Sequence, residues 1–248
     1  MIVIKSKEEI KKMKESGKIL RSVLDMVKEN IKPGVKTIEL NRMAEDMIYK
    51  NGVVPAFKGY GGFPYALCIS VNEEVIHGFP SDRVIEDGDV VKIDGGVILD
   101  GFYSDAAFTK IAGTPKSDVD VRLVDVVEKA FFKGVQAIKV GARLGDIGSS
   151  IQQFVEGNGF SVIRDYTGHG VGRELHEDPA VPNFGVAGRG VPLRVGMTLA
   201  IEPMITAGNY EVYTEKNGWT VKTVDGSHAA HFEHTVAILD DGVELLTA

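Results

Sequence analysis

The chain has 248 residues, 44% of them hydrophobic, enough to bury a large core in one large domain or two small ones. Its net charge is −7 with no strongly basic block, which argues against a nucleic-acid-binding surface. Cys68 is the only cysteine, so no intrachain disulfide is possible, and no stretch has the length of a signal-peptide core or a membrane span. The expectation is a soluble, cytoplasmic protein.

Ser6 followed by Glu9 predicts a capping box. It opens a helix with Ile10, Met13, Leu20, Leu24 and Val27 on one side, ending before Pro33-Gly34. The lysines of this segment are interleaved with Glu8, Glu9 and Glu15 and read as a solvated face. Thr37 predicts the cap of a second helix carrying Leu40, Ala44, Met47 and Ile48 at helical spacing. Strands over Val90–Asp94 and Phe102–Ile111 flank Asp100-Gly101, a dipeptide favoured in two-residue hairpin turns. A helix from about Asp118 to Ile138 and another from about Leu144 to Gly157 follow, and Asn51-Gly52 and Asn158-Gly159 act as stop signals. Strands over Thr198–Glu202, Trp219–Thr223 and Phe232–Leu239 complete the pattern. With no linker and no low-complexity segment, residues 1–248 are expected to form one α+β domain.

Two stretches of the chain say nearly the same thing twice. Ile31-Lys32-Pro33-Gly34 leads through an apolar-periodic segment to Asn51-Gly52, and Ile138-Lys139-Val140-Gly141 leads over the same length to Asn158-Gly159. His77 of Ile76-His77-Gly78-Phe79-Pro80 is echoed by His176 of Leu175-His176-Glu177-Asp178-Pro179, and Gly88 before Asp94 by Gly196 before Glu202. The offsets are 107, 99 and 108. Gly-containing turns before helices recur by chance, but three pairs in the same order predict an internal duplication, with halves of about 1–113 and 114–248. A site at their junction receives a His and a carboxylate from each half.

The hairpin permits a geometric test. With Asp100-Gly101 as the loop, Asp105 faces Gly96, and Asp94 becomes its diagonal neighbour on the same strand face, about 7–8 Å away at the backbone. Two carboxylates brought together on a largely apolar strand pair are costly unless a cation sits between them. Glu202 ends the apolar run Thr198–Ile201, Glu233 sits mid-strand, and His169 lies between glycines in Gly168-His169-Gly170. Any one of these is weak evidence for a site. Together, four carboxylates and one imidazole without thiolate suit Mn, Fe, Co or Zn, and their charge balances two divalent ions. Ligands dispersed along the chain disfavour a calcium loop, and the missing cysteines disfavour structural zinc.

Asp94 and Asp105, Gly168-His169-Gly170, Ile201-Glu202-Pro203 and Phe232-Glu233-His234-Thr235 resemble the five-ligand signature of type I methionine aminopeptidases. The resemblance spans essentially the whole chain, including Gly59-Tyr60-Gly61-Gly62-Phe63-Pro64, Cys68 to Asn72, and Asn217 to Thr223. It implies the pita-bread fold, two pseudo-symmetric α+β halves with a central antiparallel sheet covered by helices. It implies that Asp94 chelates one metal, that His169 and Glu202 chelate the other, and that Asp105 and Glu233 bridge them. It places His77 on the scissile amide and His176 on the tetrahedral oxyanion. Phe57, Tyr60, Phe63, Cys68, Leu175 and Trp219 match positions lining the methionine pocket, and Asn72 one near a monovalent-cation site. It further implies peptide substrates with N-terminal Met, two divalent ions (Co, Mn, Fe or Zn), a monomer, and work near the ribosomal exit tunnel, with no specific nucleic acid or membrane partner. Three positions depart from the family pattern: His231 stands where Gln is common, Leu175 where an aromatic is common, and Phe57 where a smaller residue is common. These are expected to affect pocket shape rather than metal chemistry.

The implied reaction is attack by a metal-activated water on the first peptide bond, with Glu202 moving the proton and His176 stabilising the oxyanion. Cys68 reads equally as a soft contact for a methionine sulfur or a small buried hydrophobe, and Trp219 equally as core packing or pocket lining. Two rivals stand beside this reading. Xaa-Pro aminopeptidases and prolidases share the fold and ligands but usually carry a large N-terminal domain. A non-catalytic binding protein on the same scaffold tends to lose ligands, whereas this chain keeps all five and both histidines.

Overall fold

The computed structural model describes residues 1–248. The first half of the chain runs α1 (Lys7–Asn30), α2 (Thr37–Lys50), β1 (Val54–Pro55), β2 (Leu67–Val71), β3 (Glu74–Ile76), β4 (Val90–Leu99) and β5 (Phe102–Ile111). The second half runs α3 (Asp118–Gln136), α4 (Leu144–Gly157), β6 (Ser161–Val162), β7 (Gly168–Gly170), β8 (Glu177–Val181), β9 (Thr198–Ile201), β10 (Met204–Thr206), β11 (Val212–Thr214), β12 (Val221–Thr223), β13 (Ala229–His231), β14 (Glu233–Leu239) and β15 (Gly242–Leu245).

Local chemistry sets the element ends. Ser6 and Glu9 exchange the reciprocal bonds of a capping box at the start of α1. At α2 the cap is Lys36, not Thr37: the Glu39 carboxylate accepts from the Lys36 N–H, and the Thr37 hydroxyl instead exchanges bonds with the Ser81 backbone. Ser117 caps α3, which stops at Gln136, short of the expected Ile138. Strand β12 is shorter than expected because Asn217 Oδ1 accepts from both Trp219 N and Thr220 N, holding Trp219 in a turn outside the ladder. Phe232 separates β13 from β14 by turning its N–H to the Pro203 carbonyl.

One nine-stranded sheet runs through both halves, with the central path β1-β4-β5-β14-β9-β7-β8, β2 beside β4 and β15 beside β14. Its two faces separate by strict alternation. Val91, Ile93 and Val97 of β4 and Ala106 and Phe108 of β5 pack with Leu20, Leu24, Val27, Leu40 and Ile48 under α1 and α2. Leu199 and Ile201 of β9 and Val236 and Ile238 of β14 pack with Leu123, Val127, Phe131, Ile147 and Ile151 under α3 and α4. Each helix pair therefore covers its own half-sheet. The opposite face carries Asp94, Asp105, Glu202 and Glu233. At about 25 cal/mol per Å² of apolar surface removed from water, the two helix-covered cores are the main source of stability, so the other face is free to hold charge.

The duplication is written into the pairing register. Pro55 pairs Val97 in the first half, and Val162 pairs Ile205 in the second, each shifted by the 107 or 108 residues seen in the sequence. Ser70 pairs Lys92 as His169 pairs Ala200, so the counterpart of His169 is Ser70. Asp105 and Glu233 are not pseudo-symmetric equivalents: Asp105 pairs Gly96, and the second-half equivalent of that pair is Met204 with His231. The extra residues of the second half form the β11–β12 hairpin, which pairs onto β3 of the first half, Val221 opposite Ile76. That packing brings Trp219, just before β12, beside His77, just after β3.

Candidate metal centre and substrate cleft

Five consecutive strands of the sheet each deliver one of the five side chains expected to hold metal: Asp94 from β4, Asp105 from β5, Glu233 from β14, Glu202 from the end of β9 and His169 from β7. The expected hairpin register is present, with Gly96 opposite Asp105 and Leu99 opposite Phe102. A Cβ at Gly96 would lie 2.8 Å from the Ser104 carbonyl and 3.1 Å from the Phe57 ring, so only glycine lets Phe57 close over this strand. Backbone positions are pinned from behind. The Thr235 hydroxyl accepts from Asp105 N at 3.1 Å and donates to Asp105 O at 2.9 Å, and Asn183 Nδ2 donates to the Glu202 carbonyl at 2.9 Å.

The electrostatics are those of a cation site. Asp105 and Glu233 are 4% and 2% exposed, and Asp94 Oδ1, Asp105 Oδ1 and Glu233 Oε1 are buried without any hydrogen-bond partner. Burial lifts the Asp94 carboxyl to about 7. Burial first, then the neighbouring carboxylates, holds Asp105, Glu202 and Glu233 well above their ordinary range. Orphaned buried carboxylates of this kind are satisfied by positive charge, and the oxygen and imidazole donors fit divalent ions. Cys68, opposite Asp94 in the pairing, is held as a neutral thiol by burial and then by Asp94, so it adds no thiolate. His169 keeps one ring nitrogen free to act as a donor. Its Nδ1 donates to the Gly170 carbonyl at 2.9 Å, which leaves the Nε2 lone pair 3.4 Å from Glu202 Oε1 and 3.8 Å from Asp105 Oδ2. Burial, then His176, lowers its pKa to about 4, so it is neutral at pH 7.

The side wall is histidine and aromatic. The His176 ring lies 4.4 Å from that of His169, and its Nδ1 is 2.7 Å from the Tyr60 hydroxyl. His77 sits at φ 57° with its ring edge-on to Tyr166 and Trp219. Burial, then His176, lowers His77 to about 4, and burial also lowers His176. Phe57, Phe63, Cys68 and Leu175 form a buried cluster, with Trp219 edge-on to Phe63 at 5.2 Å. The five expected metal-side residues and the eight expected substrate-side residues all line one cleft of about 590 Å³ that includes its open mouth.

Several features escaped the sequence reading. Tyr60 was matched only to the pocket, yet it also binds His176. Phe79 and Tyr65 pack behind Phe63, and only their place beside the quoted Gly-Phe-Pro segments hinted at this. His231 does not line the cleft. It is 1% exposed, with Nε2 3.7 Å from Glu202 Oε2 and 3.7 Å from Glu233 Oε2, so the departure from Gln concerns the metal side rather than pocket shape. The Asn72 carbonyl, expected near a monovalent cation, accepts from Lys92 Nζ at 2.7 Å and from Ala229 N at 3.0 Å, which occupies both its lone pairs. No helix is long and apolar enough to cross a membrane.

Residues 11–240 match metallopeptidase family M24. The chain is 53% identical over 247 residues to the methionine aminopeptidase of Clostridium perfringens, covering 100% of this chain and 99% of that one. It is 48% identical to methionine aminopeptidase 1 of Bacillus subtilis, with the same coverage. The structure superposes on methionine aminopeptidase from Thermotoga maritima with a TM-score of 0.98 at 50% identity, covering 100% of this chain and 99% of that one. The prolidase of Pyrococcus horikoshii also matches, at TM-score 0.81 and 27% identity, but only 64% of that chain is covered. The chain, with the pita-bread fold and a carboxylate–histidine centre, belongs to metallopeptidase family M24 and, within it, to the methionine aminopeptidases.

Proposed function

We propose that the chain removes N-terminal methionine from peptides at a dinuclear metal centre. The observation that carries this reading is the juxtaposition in one cleft of a carboxylate-lined floor and an apolar aromatic wall. Asp94, Asp105, Glu233, Glu202 and His169 hold two divalent ions of the Mn, Fe, Co or Zn type. When bound, the ions supply the Lewis acidity that makes water a nucleophile near pH 7 and polarises the first peptide carbonyl.

The chain's own groups do the rest. Glu202 accepts the proton from the attacking water and passes it to the leaving amine. The Tyr60 hydroxyl lies 2.7 Å from His176 Nδ1; in the working tautomer it donates to Nδ1, so Nε2 carries the proton for the oxyanion that develops on the carbonyl. His176 acts neutral, as its lowered pKa requires at pH 7. His77 contacts the scissile amide. Phe57, Phe63, Cys68, Leu175 and Trp219 receive an unbranched side chain, with the thioether against aromatic edges and the Cys68 sulfur. At Asn72, the Lys92 amino group takes the place of a free monovalent cation.

Hydrolysis of Met-Ala-Ser and Ala-Pro-Ala compared with Mn or Co present tests the proposal. Release of Met alone is expected. Cleavage of only the proline peptide favours the prolidase reading, and cleavage of neither without tight metal binding favours a binding protein.

A further inference from the structure

His231 is a buried imidazole beside the metal centre that the proposed mechanism does not use. Both its ring nitrogens lack a hydrogen-bond partner, although the residue is 1% exposed. An imidazole so placed forfeits two hydrogen bonds to water unless something at the site replaces them. Its orientation is built in. The Thr109 hydroxyl accepts from His231 N at 2.9 Å and donates to His231 O at 2.7 Å, fixing the backbone from which the ring projects.

Two distances define what the ring is for. Nε2 lies 3.7 Å from Glu202 Oε2 and 3.7 Å from Glu233 Oε2. A hydrogen bond requires about 2.7–3.2 Å, so neither contact is one. Two ligand atoms each about 2.1 Å from a shared ion lie at most about 4.2 Å apart, so both contacts fall within the span of one coordination sphere. His169 stands in the same relation to the carboxylates, at 3.4 Å from Glu202 and 3.8 Å from Asp105. The ligand atoms of Glu202, His231 and Glu233 form a mutually close trio, as do those of Asp105, His169 and Glu233. The pairing register adds a separate argument, because His231 opposite Met204 is the second-half equivalent of Asp105 opposite Gly96. The duplicated scaffold therefore points the same backbone position at the metals from both halves.

We infer that His231 is a sixth protein ligand of the centre, coordinating through Nε2 the divalent ion shared by Glu202 and Glu233. This rests on the reading of the cleft as a dinuclear metal site. It gives that centre two imidazoles beside its four carboxylates, one more borderline nitrogen donor with no change in the total charge of the ligands.

X-ray absorption of the protein loaded with two equivalents of Co(II), compared between wild type and His231→Gln, tests it. The imidazole count per cobalt is expected to fall by one half, the loss of one imidazole shared over two ions. Calorimetric titration is expected to show one of the two Co(II) affinities weakened by about 100-fold, the upper end of what outer-shell changes produce, and the other unchanged. His231→Ala serves as the second variant, and circular dichroism of both metal-free proteins checks that they fold. An unchanged imidazole count, with affinities within about threefold of wild type, overturns the inference and leaves the metal centre intact. Wild-type protein that binds no Co(II) tightly overturns the metal centre itself.

Discussion

Asp94 sets the sign of a pH effect that the metal-free protein should display. Its Oδ1 is buried without a partner, and burial raises its carboxyl from 3.8 to about 7. A folded pKa above the unfolded one means that the native state holds the proton more tightly. The stability this contributes is complete below about pH 4 and is lost as pH rises through 7. At 1.36 kcal/mol per unit, the gap of about three units costs the ionised native state on the order of 4 kcal/mol, roughly 2–3 of them between pH 5 and pH 7.5. Asp105, Glu202 and Glu233 are raised by the same cause, so the cluster titrates as a unit and the figure belongs to one member's removal. Asp94→Asn keeps the shape and abolishes the ionisation. In chelator, urea unfolding followed by circular dichroism should show Asp94→Asn more stable than wild type at pH 7.5, with an advantage about 2–3 kcal/mol smaller at pH 5. Under saturating Mn the order should invert, because the variant has lost a ligand. A chelated variant no more stable than wild type at pH 7.5, with no pH trend, refutes the reasoning.

Tyr60→Phe removes the hydroxyl beside His176 Nδ1, so the imidazole is free to adopt the other tautomer; kcat for Met-Ala-Ser is expected to fall about 10-fold or more with KM little changed, and a pure KM effect would make Tyr60 a pocket residue only. Trp219→Ala opens the wall against Phe63, and steady-state kinetics should show KM for Met peptides rising more than kcat falls. Because both Asn72 carbonyl lone pairs are occupied, activity should be equal in potassium, sodium and tetramethylammonium chloride at constant ionic strength; a loss above about threefold in tetramethylammonium would restore a free cation at Asn72. Thr235→Val leaves Asp105 N without its partner, and thermal unfolding should show a loss of about 1–3 kcal/mol.

The metal centre was legible because chemistry and periodicity conflicted. Asp94, Glu202 and Glu233 interrupt or end apolar strands, where a carboxylate has no reason to lie without a cation, and the Asp100-Gly101 turn fixed the register that puts Asp105 next to Asp94. The duplication was legible for the helix pairs and for Asp94 with Glu202, since those segments kept their spacing. What stayed hidden depends on contacts between distant segments. Alternation placed His231 on the Glu233 face, but only the β10–β13 pairing reveals it as the equivalent of Asp105. The Tyr60–His176 bond joins loops with no periodicity, and Lys92 reaches Asn72 across a strand turn whose positive φ no pattern announced. Thr37 misled because Ser81, far away in sequence, competes for its hydroxyl.

The most direct test of the account is a crystal of the protein soaked in Mn and measured at an anomalous wavelength. Two anomalous peaks about 3.5–4 Å apart, enclosed by Asp94, Asp105, His169, Glu202 and Glu233, are the predicted result. No peak within that ring of side chains, at an Mn concentration that supports cleavage of Met-Ala-Ser, would contradict it.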